Sequence, residues 1–167
     1  MKTKDIMIAN VAVCRPGDNL AAAVATMWEA RCGVLPVLDA RDAVSGMLTD
    51  RDVCIALGTR NARAADLRVS DVSLPRVFTC APEDDVRSAL DTMTSQNVRR
   101  LPVVDGDGRL IGILSIDDML LHAERRPGKS GLSYAEVVEA AQTILRSRAK
   151  GHKHAPAELV AVGHTAG

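Results

Sequence analysis

Residues 5–53 recur at 71–119 with a constant offset of 66 and no insertion or deletion. The diagonal pairs Asp5 with Asp71, Cys14 with Cys80, Pro16 with Pro82, Asp18 with Asp84, Ala23 with Ala89, Thr26 with Thr92 and Met27 with Met93. It continues through Leu35-Pro36-Val37 with Leu101-Pro102-Val103, then Asp39, Gly46, Leu48 and Asp52 with Asp105, Gly112, Leu114 and Asp118. A solenoid needs three or more stacked copies to bury its faces. Two copies predict one compact module about a pseudo-two-fold axis, in which a site built by one copy can be built by the other.

Each copy reads as a short strand, a helix, a hairpin and a second helix. Val11-Ala12-Val13 and Arg76-Val77-Phe78-Thr79 have β composition and run toward Pro16 and Pro82. Asp18 and Asp84 sit where an N-cap belongs. Leu20, Val24 and Met27, and Val86, Leu90 and Met93, follow i, i+4, i+7 spacing, which predicts one buried stripe per helix. Met27 and Trp28 are assigned to that core. Val34-Leu35-Pro36-Val37-Leu38 with Val44-Ser45-Gly46-Met47-Leu48, and Leu101-Pro102-Val103-Val104 with Leu110-Ile111-Gly112-Ile113-Leu114, predict two strand pairs. The connector Asp105-Gly106-Asp107-Gly108-Arg109 suits an antiparallel hairpin. It lacks the third acidic ligand and the terminal Glu of a calcium loop. A second helix opens at Thr49 and runs to about Leu57, and its counterpart opens at Ser115 and runs to about His122. The resulting division is 1–66 and 67–123, with 58–69 as a surface connector.

The repeat stops at 123. Residues 124–132 read as a linker, and Gly128-Lys129-Ser130 is not a phosphate loop, because Ala123 occupies the place of the required glycine. Ser133 and Glu136 have capping-box spacing. Tyr134, Val137, Val138, Ala141, Ile144 and Leu145 give 133–150 an apolar face. An isolated helix of that length is marginal in water, so the face is expected to dock on the module or on a partner. Residues 151–167 are expected to be a flexible tail.

Composition narrows the function. The formal net charge is zero, which argues against a nucleic-acid or membrane-surface binder. Three aromatic residues offer no platform for stacking bases, and the basic run Arg146, Arg148, Lys150, Lys153 reads as a solvated helix end. Cysteines at 14, 32, 54 and 80 lack metal-ligand spacing, and every histidine lies at 122 or later. The thiols suit a reducing cytoplasm. The sequence shows neither a signal peptide nor an apolar run long enough to span a bilayer. No His or Cys lies in a nucleophile–base pattern, which argues against an enzyme.

The pattern with most chemical content is Gly46-Met47-Leu48-Thr49-Asp50-Arg51-Asp52, repeated as Gly112-Ile113-Leu114-Ser115-Ile116-Asp117-Asp118. A strand runs into a helix start carrying a hydroxyl and, three residues on, a carboxylate. Local physics explains both as a helix cap. The same groups can serve a ligand: the hydroxyl can reach a phosphate, and the carboxylate can accept hydrogen bonds from a ribose diol. Cap and contact are compatible.

The span from about Asp5 to Ala123 resembles a tandem pair of CBS domains. The shared signature is the proline-ended first segment, the Ala-containing helix, the apolar-Pro-Val-hydrophobic-Asp strand and Gly-x-x-Thr/Ser-x-x-Asp. The resemblance implies an α/β (α+β) fold of two CBS repeats with pseudo-two-fold symmetry, here followed by a C-terminal helix. It implies two clefts that bind adenosine compounds such as AMP, ADP, ATP or S-adenosylmethionine. Thr49 and Asp52 would serve one cleft, with Cys80, Val98 and Arg99 near the base. Ser115 and Asp118 would serve the other, with Cys14, Cys32 and Gly33. Arg99-Arg100 correspond to Gly33-Val34, so the Thr49/Asp52 cleft is expected to be the more cationic. Such modules commonly pair into dimers, so a homodimer is expected. With no effector domain in the sequence, a regulated protein would be a separate chain, and no cofactor is required. The competing reading is a structural dimerisation or adaptor module with empty clefts.

Overall fold

The computed structural model describes residues 1–73, 76–125, 128 and 131–152. Lys129 and Ser130 of the Gly-Lys-Ser run, and the tail from 153 onward, lie outside the described residues. The first repeat consists of α1 (Leu20–Glu29), β1 (Val34–Leu38), β2 (Val44–Thr49) and α2 (Asp50–Arg60). The second consists of α3 (Val86–Gln96), β3 (Arg100–Val104), β4 (Leu110–Ser115) and α4 (Ile116–Leu121). α5 (Tyr134–His152) follows. Each repeat thus contributes one two-stranded antiparallel sheet, in the mixed α+β architecture that the repeat pattern predicts.

The two hairpins share one register. Val34 faces Thr49 and Val37 faces Gly46; Arg100 faces Ser115 and Val103 faces Gly112. Both carry an irregularity at the same place, between Val37 and Leu38 and between Val103 and Val104. β1 is buried along its whole length, which is why it reads as a continuous apolar run rather than an alternation. The hairpin tips meet across the pseudo-axis, where Val44 donates to the Gly108 carbonyl at 3.2 Å.

Three sequence expectations are corrected here. Residues 11–13 and 76–79 are not strands. Each segment reaches the sheet only at one residue, through parallel bridges Cys14–Val37 and Cys80–Val103. The next rung toward 11–13 or 76–79 would need an amide donor on Pro36 or Pro102, the residues that accept from Cys14 and Cys80, and proline has none, so the ladder does not extend. The N-caps are Asn19 and Asp85. Asp18 and Asp84 instead close the preceding turns by accepting from the Arg15 and Ala81 amides at 2.7 and 2.8 Å. Finally, α1 buries Leu20, Ala23 and Met27, while Val24 is 42% and Trp28 85% exposed. Trp28 is therefore not a core residue in this chain.

α5 docks on its own module, against α3 and α4. It buries Val137, Ala140 and Ile144, whereas Tyr134, Val138 and Leu145 stay about half exposed, so the buried stripe is narrower than the sequence suggests. Ser133 and Glu136 form the expected capping box, with the hydroxyl donating to Oε2 at 2.6 Å and the Glu136 amide donating back to Ser133 Oγ at 3.2 Å. Arg87 on α3 adds an ion pair to Glu136 at 2.9 Å and a bond to the Gly131 carbonyl.

The packing units are not the sequence repeats. The first six residues close the second repeat: Thr3 and Lys4 donate to the Asp84 and Pro82 carbonyls at 2.9 and 3.0 Å, and Ile6 enters the core with Cys80 and Leu101. The equivalent segment around Val69 closes the first repeat. Val69 and Ser70 donate to the Asp18 and Pro16 carbonyls at 2.8 and 3.0 Å, and Val69 enters the core with Leu20 and Leu35. Each repeat sends its leader across to the other.

Two predictions follow from this packing. Ile6→Ala should cost about 2–5 kcal/mol, the range for emptying a buried aliphatic site. Hydrogen exchange should then accelerate first in the second repeat, 80–123, although the substitution lies in the first. The second concerns acid. The Ser133 hydroxyl, then Arg87, hold the Glu136 carboxyl at about 2, below its ordinary 4.5. This group therefore stabilises the docked helix above pH 4.5 and loses that contribution as pH falls toward 2. Glu136→Gln should abolish this part of the acid dependence, read as α5 amide exchange against pH; because the pair is partly solvated the effect is modest.

Candidate functional site

Thr49 ends β2 and caps α2; Ser115 ends β4 and caps α4. In the first box the Thr49 amide and hydroxyl donate to Asp52 Oδ2 at 3.0 and 2.6 Å, and the Asp52 amide donates to Thr49 Oγ1 at 3.1 Å. In the second, the Ser115 amide and hydroxyl donate to Asp118 Oδ2 at 2.8 and 2.5 Å, and the Asp118 amide donates back at 3.2 Å. Each box uses one carboxylate oxygen, Oδ2. The capping explanation is thus correct, and it does not consume the carboxylate.

A cavity of ≈ 390 Å³ opens at Ser115 and Asp118, between the repeats. The second repeat lines it with Arg100, Ile113, Ser115, Asp117 and Asp118; the first supplies Ile8, Asn10, Val11, Ala12, Ala30, Arg31, Cys32, Gly33 and Val34. The crossing leader builds one wall, because Ile8 and Ile113 exchange amide–carbonyl bonds at 2.9 Å in both directions. That approach requires Gly112: a Cβ there would stand 2.7 Å from Met7 Sδ and 3.0 Å from the Ile8 carbonyl oxygen. The opposite wall is set by the end of α1, where Arg31 takes a left-handed φ of 51° and turns the chain into Cys32-Gly33. The cavity therefore holds a hydroxyl, two carboxylates and two guanidinium groups beside an apolar strip from Val11, Ala12, Val34 and Ile113.

Cys32, Gly33, Arg100, Ser115 and Asp118 come together here. Arg100, expected to add charge to the Thr49/Asp52 cleft, lines this one instead. It faces Ser115 across the β3–β4 ladder, and cross-strand partners point to the same side of a sheet. Cys14 and Cys80 are not among the residues that line this cavity. Both thiols are buried against the Pro36 and Pro102 carbonyls, and burial pushes them to about 12 and about 11. They are protonated core residues at neutral pH. Val98 packs against the core of the second repeat. Arg99 is exposed, and its carbonyl accepts from the Ile116 amide at 3.0 Å.

Sequence reasoning missed Arg31, Asn10 and Asp117. Arg31 carried a signal. Its counterpart at the offset of 66 is Asn97, also left-handed, with φ 57°. Asn tolerates that conformation and Arg does so at a cost, so the arginine is not there for local backbone reasons. Among the described residues no group of three or more His, Cys, Asp or Glu could hold a metal ion.

The family profile for the CBS domain matches residues 4–59 and again 69–125. The chain belongs to the CBS-domain family. It is 30% identical over 119 residues to the CBS domain-containing protein YhcV of Bacillus subtilis, covering 71% of this chain and 83% of that protein. It is 34% identical over 120 residues to an inosine-5′-monophosphate dehydrogenase of Methanocaldococcus jannaschii; that match takes in 71% of this chain but 23% of the enzyme. Among solved structures, Hypoxic Response Protein I with two coordinated zinc ions superposes with a TM-score of 0.67 at 28% identity, covering 74% of this chain and all of that one. The CBS domain pair of protein MJ0100, in complex with 5′-methylthioadenosine and S-adenosyl-L-methionine, gives 0.64 at 21% identity, covering 71% of this chain and 92% of that one, which shows the shared fold.

In both CBS repeats the motif hydroxyl is a structural cap. Thr49→Ala and Ser115→Ala should each lower stability by about 0.5–2 kcal/mol, by urea denaturation at fixed ionic strength. A loss near zero at Ser115 would mean that the box is not formed in solution.

Proposed function

We propose that the chain is a non-catalytic regulatory module that binds an adenosine compound in the Ser115/Asp118 cleft and reports occupancy to a separate protein. The observation that supports this most is the convergence, in one cavity, of Asp118, Ser115, Arg31 and Arg100 beside an apolar strip built from both repeats. A carboxylate with one oxygen to spare suits a ribose diol. Guanidinium groups suit phosphate or carboxylate, and the apolar strip suits a flat base. Adenosine compounds are what the CBS pair of MJ0100, of the same fold, holds. AMP, ADP, ATP and S-adenosylmethionine are the candidates. The ligand bridges groups from both repeats, so binding would stiffen their mutual arrangement. The module is further proposed to act as a homodimer. Four free cysteines fit a cytoplasmic setting, and no helix of the described residues is long and apolar enough to cross a membrane.

Calorimetry with these four compounds and adenosine tests the reading. A ligand at 100 times its dissociation constant should stabilise the protein by about 2.7 kcal/mol. Asp118→Asn should weaken binding more than Asp52→Asn, because both cleft arginines lie on the Asp118 side. Arg100→Ala should cost phosphorylated ligands about 1.5–3 kcal/mol and adenosine much less. If none of the compounds binds or shifts the melting temperature, the alternative of a ligand-free structural dimerisation module stands. The closed capping boxes favour that alternative, since they give both motifs a purpose without a ligand.

A further inference from the structure

The turns that end α1 and α3 are closed by the same pair of bonds. The Cys32 and Val98 amides donate to the Met27 and Met93 carbonyls at 3.0 and 2.9 Å, and the Arg31 and Asn97 amides donate to the Trp28 and Thr94 carbonyls at 3.2 and 3.3 Å. This is the left-handed helix ending whose positive-φ position is usually Gly and sometimes Asn. Arg31 holds that position in one turn and Asn97 in the other. Among the described residues, the other non-glycine positions with positive φ are Asp42, Asn61 and Asn97, all of types that tolerate it. Arg31 is the exception, and its long side chain gains nothing from the turn itself. Strain of this kind collects at ligand-binding positions. Arg31 lines the Ser115/Asp118 cavity from the first repeat, and Arg100 lines it from the second. Among the described residues neither guanidinium has an ion pair or hydrogen bond within the chain, although Asp117 and Asp118 line the same cavity.

We propose that Arg31 is a specificity-determining residue of this cleft: with Arg100 it holds the one anionic group of the ligand, and its left-handed backbone lowers the stability of the empty protein. The inference rests on the ligand reading of the preceding section and narrows it. Arg31 and Arg100 bring two positive charges and Asp117 and Asp118 two negative ones, so the charged side chains of the cavity balance. One phosphate or one carboxylate matches a pair of guanidinium groups. A triphosphate would add negative charge beside Asp117 and Asp118 that no further cation of the cavity offsets. The fitting class is therefore an adenosine compound with a single anionic group. The turn also fixes where the guanidinium starts. Two backbone bonds close it on α1, and the Asp50 amide ties it to α2 by donating to the Gly33 carbonyl at 3.1 Å. Only the side chain of Arg31 is left to order when the ligand arrives, which limits the entropy lost on binding.

The test measures stability and affinity on the same variants of the full chain. Arg31→Asn installs the residue of the sister turn. It should raise the urea midpoint of the ligand-free protein. It should weaken AMP by about 10- to 100-fold, the scale of a charge-assisted contact, and leave adenosine within about twofold. Arg31→Lys restores the charge without the planar fork and should recover part of the AMP affinity. Arg146→Asn makes the same charge change at an exposed position of α5 and should alter neither quantity. S-adenosylmethionine and 5′-methylthioadenosine distinguish the two sources of the anion. An Arg31→Asn loss confined to AMP assigns a phosphate, and a loss for S-adenosylmethionine but not for 5′-methylthioadenosine assigns a carboxylate; either upholds the role. ATP should bind more weakly than AMP, and the reverse order overturns the single-anion class. Unchanged AMP and S-adenosylmethionine affinities in Arg31→Asn overturn the proposal and leave Arg31 to the α1–α2 groove, which it also borders. Equal losses for adenosine and AMP, or a lower urea midpoint, overturn it as well. If no adenosine compound binds the unaltered chain, the ligand reading and this inference fall together; if they bind and Arg31→Asn is silent, this inference falls alone.

Discussion

Ile6 in the core of the second repeat and Val69 in the core of the first are the contacts on which the rest of the molecule depends. Each is the leader of one copy buried in the other. A small sheet of two strands with two helices is marginal alone. The exchange gives each copy a further buried aliphatic side chain and several backbone bonds, and it makes the two cores interdependent. It also draws Ile8 against Ile113, and that contact forms one wall of the cleft. The site is therefore a product of the exchange, not of either repeat.

The hydroxyl–carboxylate motif shows how a structural device and a recognition device can share atoms. Helix capping fixes Asp118 through Oδ2 and the Ser115 hydroxyl, so the side chain is already held in one orientation while the box draws on only one of its two oxygens. A ligand that used Oδ1 would meet a preordered acceptor and would lose less conformational entropy on binding. The same economy is absent at Cys14 and Cys80. Their sequence match across the repeats reflects two equivalent packing sites against proline carbonyls, where a small side chain with a weak donor fits.

Departure from symmetry comes from α5. Its Val137, Ala140 and Ile144 close the face of α3 and α4, and the Arg87–Glu136 pair fixes where the helix begins. Positions that match in sequence thereby acquire different environments, Leu90 buried and Val24 not. One repeat has its outer face completed in cis. The other keeps it available.

The sequence by itself determined the repeat, the hairpins and their turns, the three capping boxes at Thr49, Ser115 and Ser133, and the docking helix. These are set by interactions within a few residues or by periodic burial, and both leave a mark on a linear chain. The hydroxyl and the carboxylate of the cap were legible for the same reason, whereas Cys32 and Gly33 were singled out only through the resemblance to CBS domains. Only the tertiary structure decided which cleft receives Arg100, that Arg31 joins it, that Cys14 and Cys80 are core, that residues 11–13 and 76–79 form single bridges instead of strands, and that Trp28 lies outside. Each of these depends on a partner far along the chain: the β4 strand opposite Arg100, the leader crossing to the other repeat, or α5 covering one face and not its equivalent. Periodicity records that a side chain is apolar. It does not record whether anything arrives to cover it.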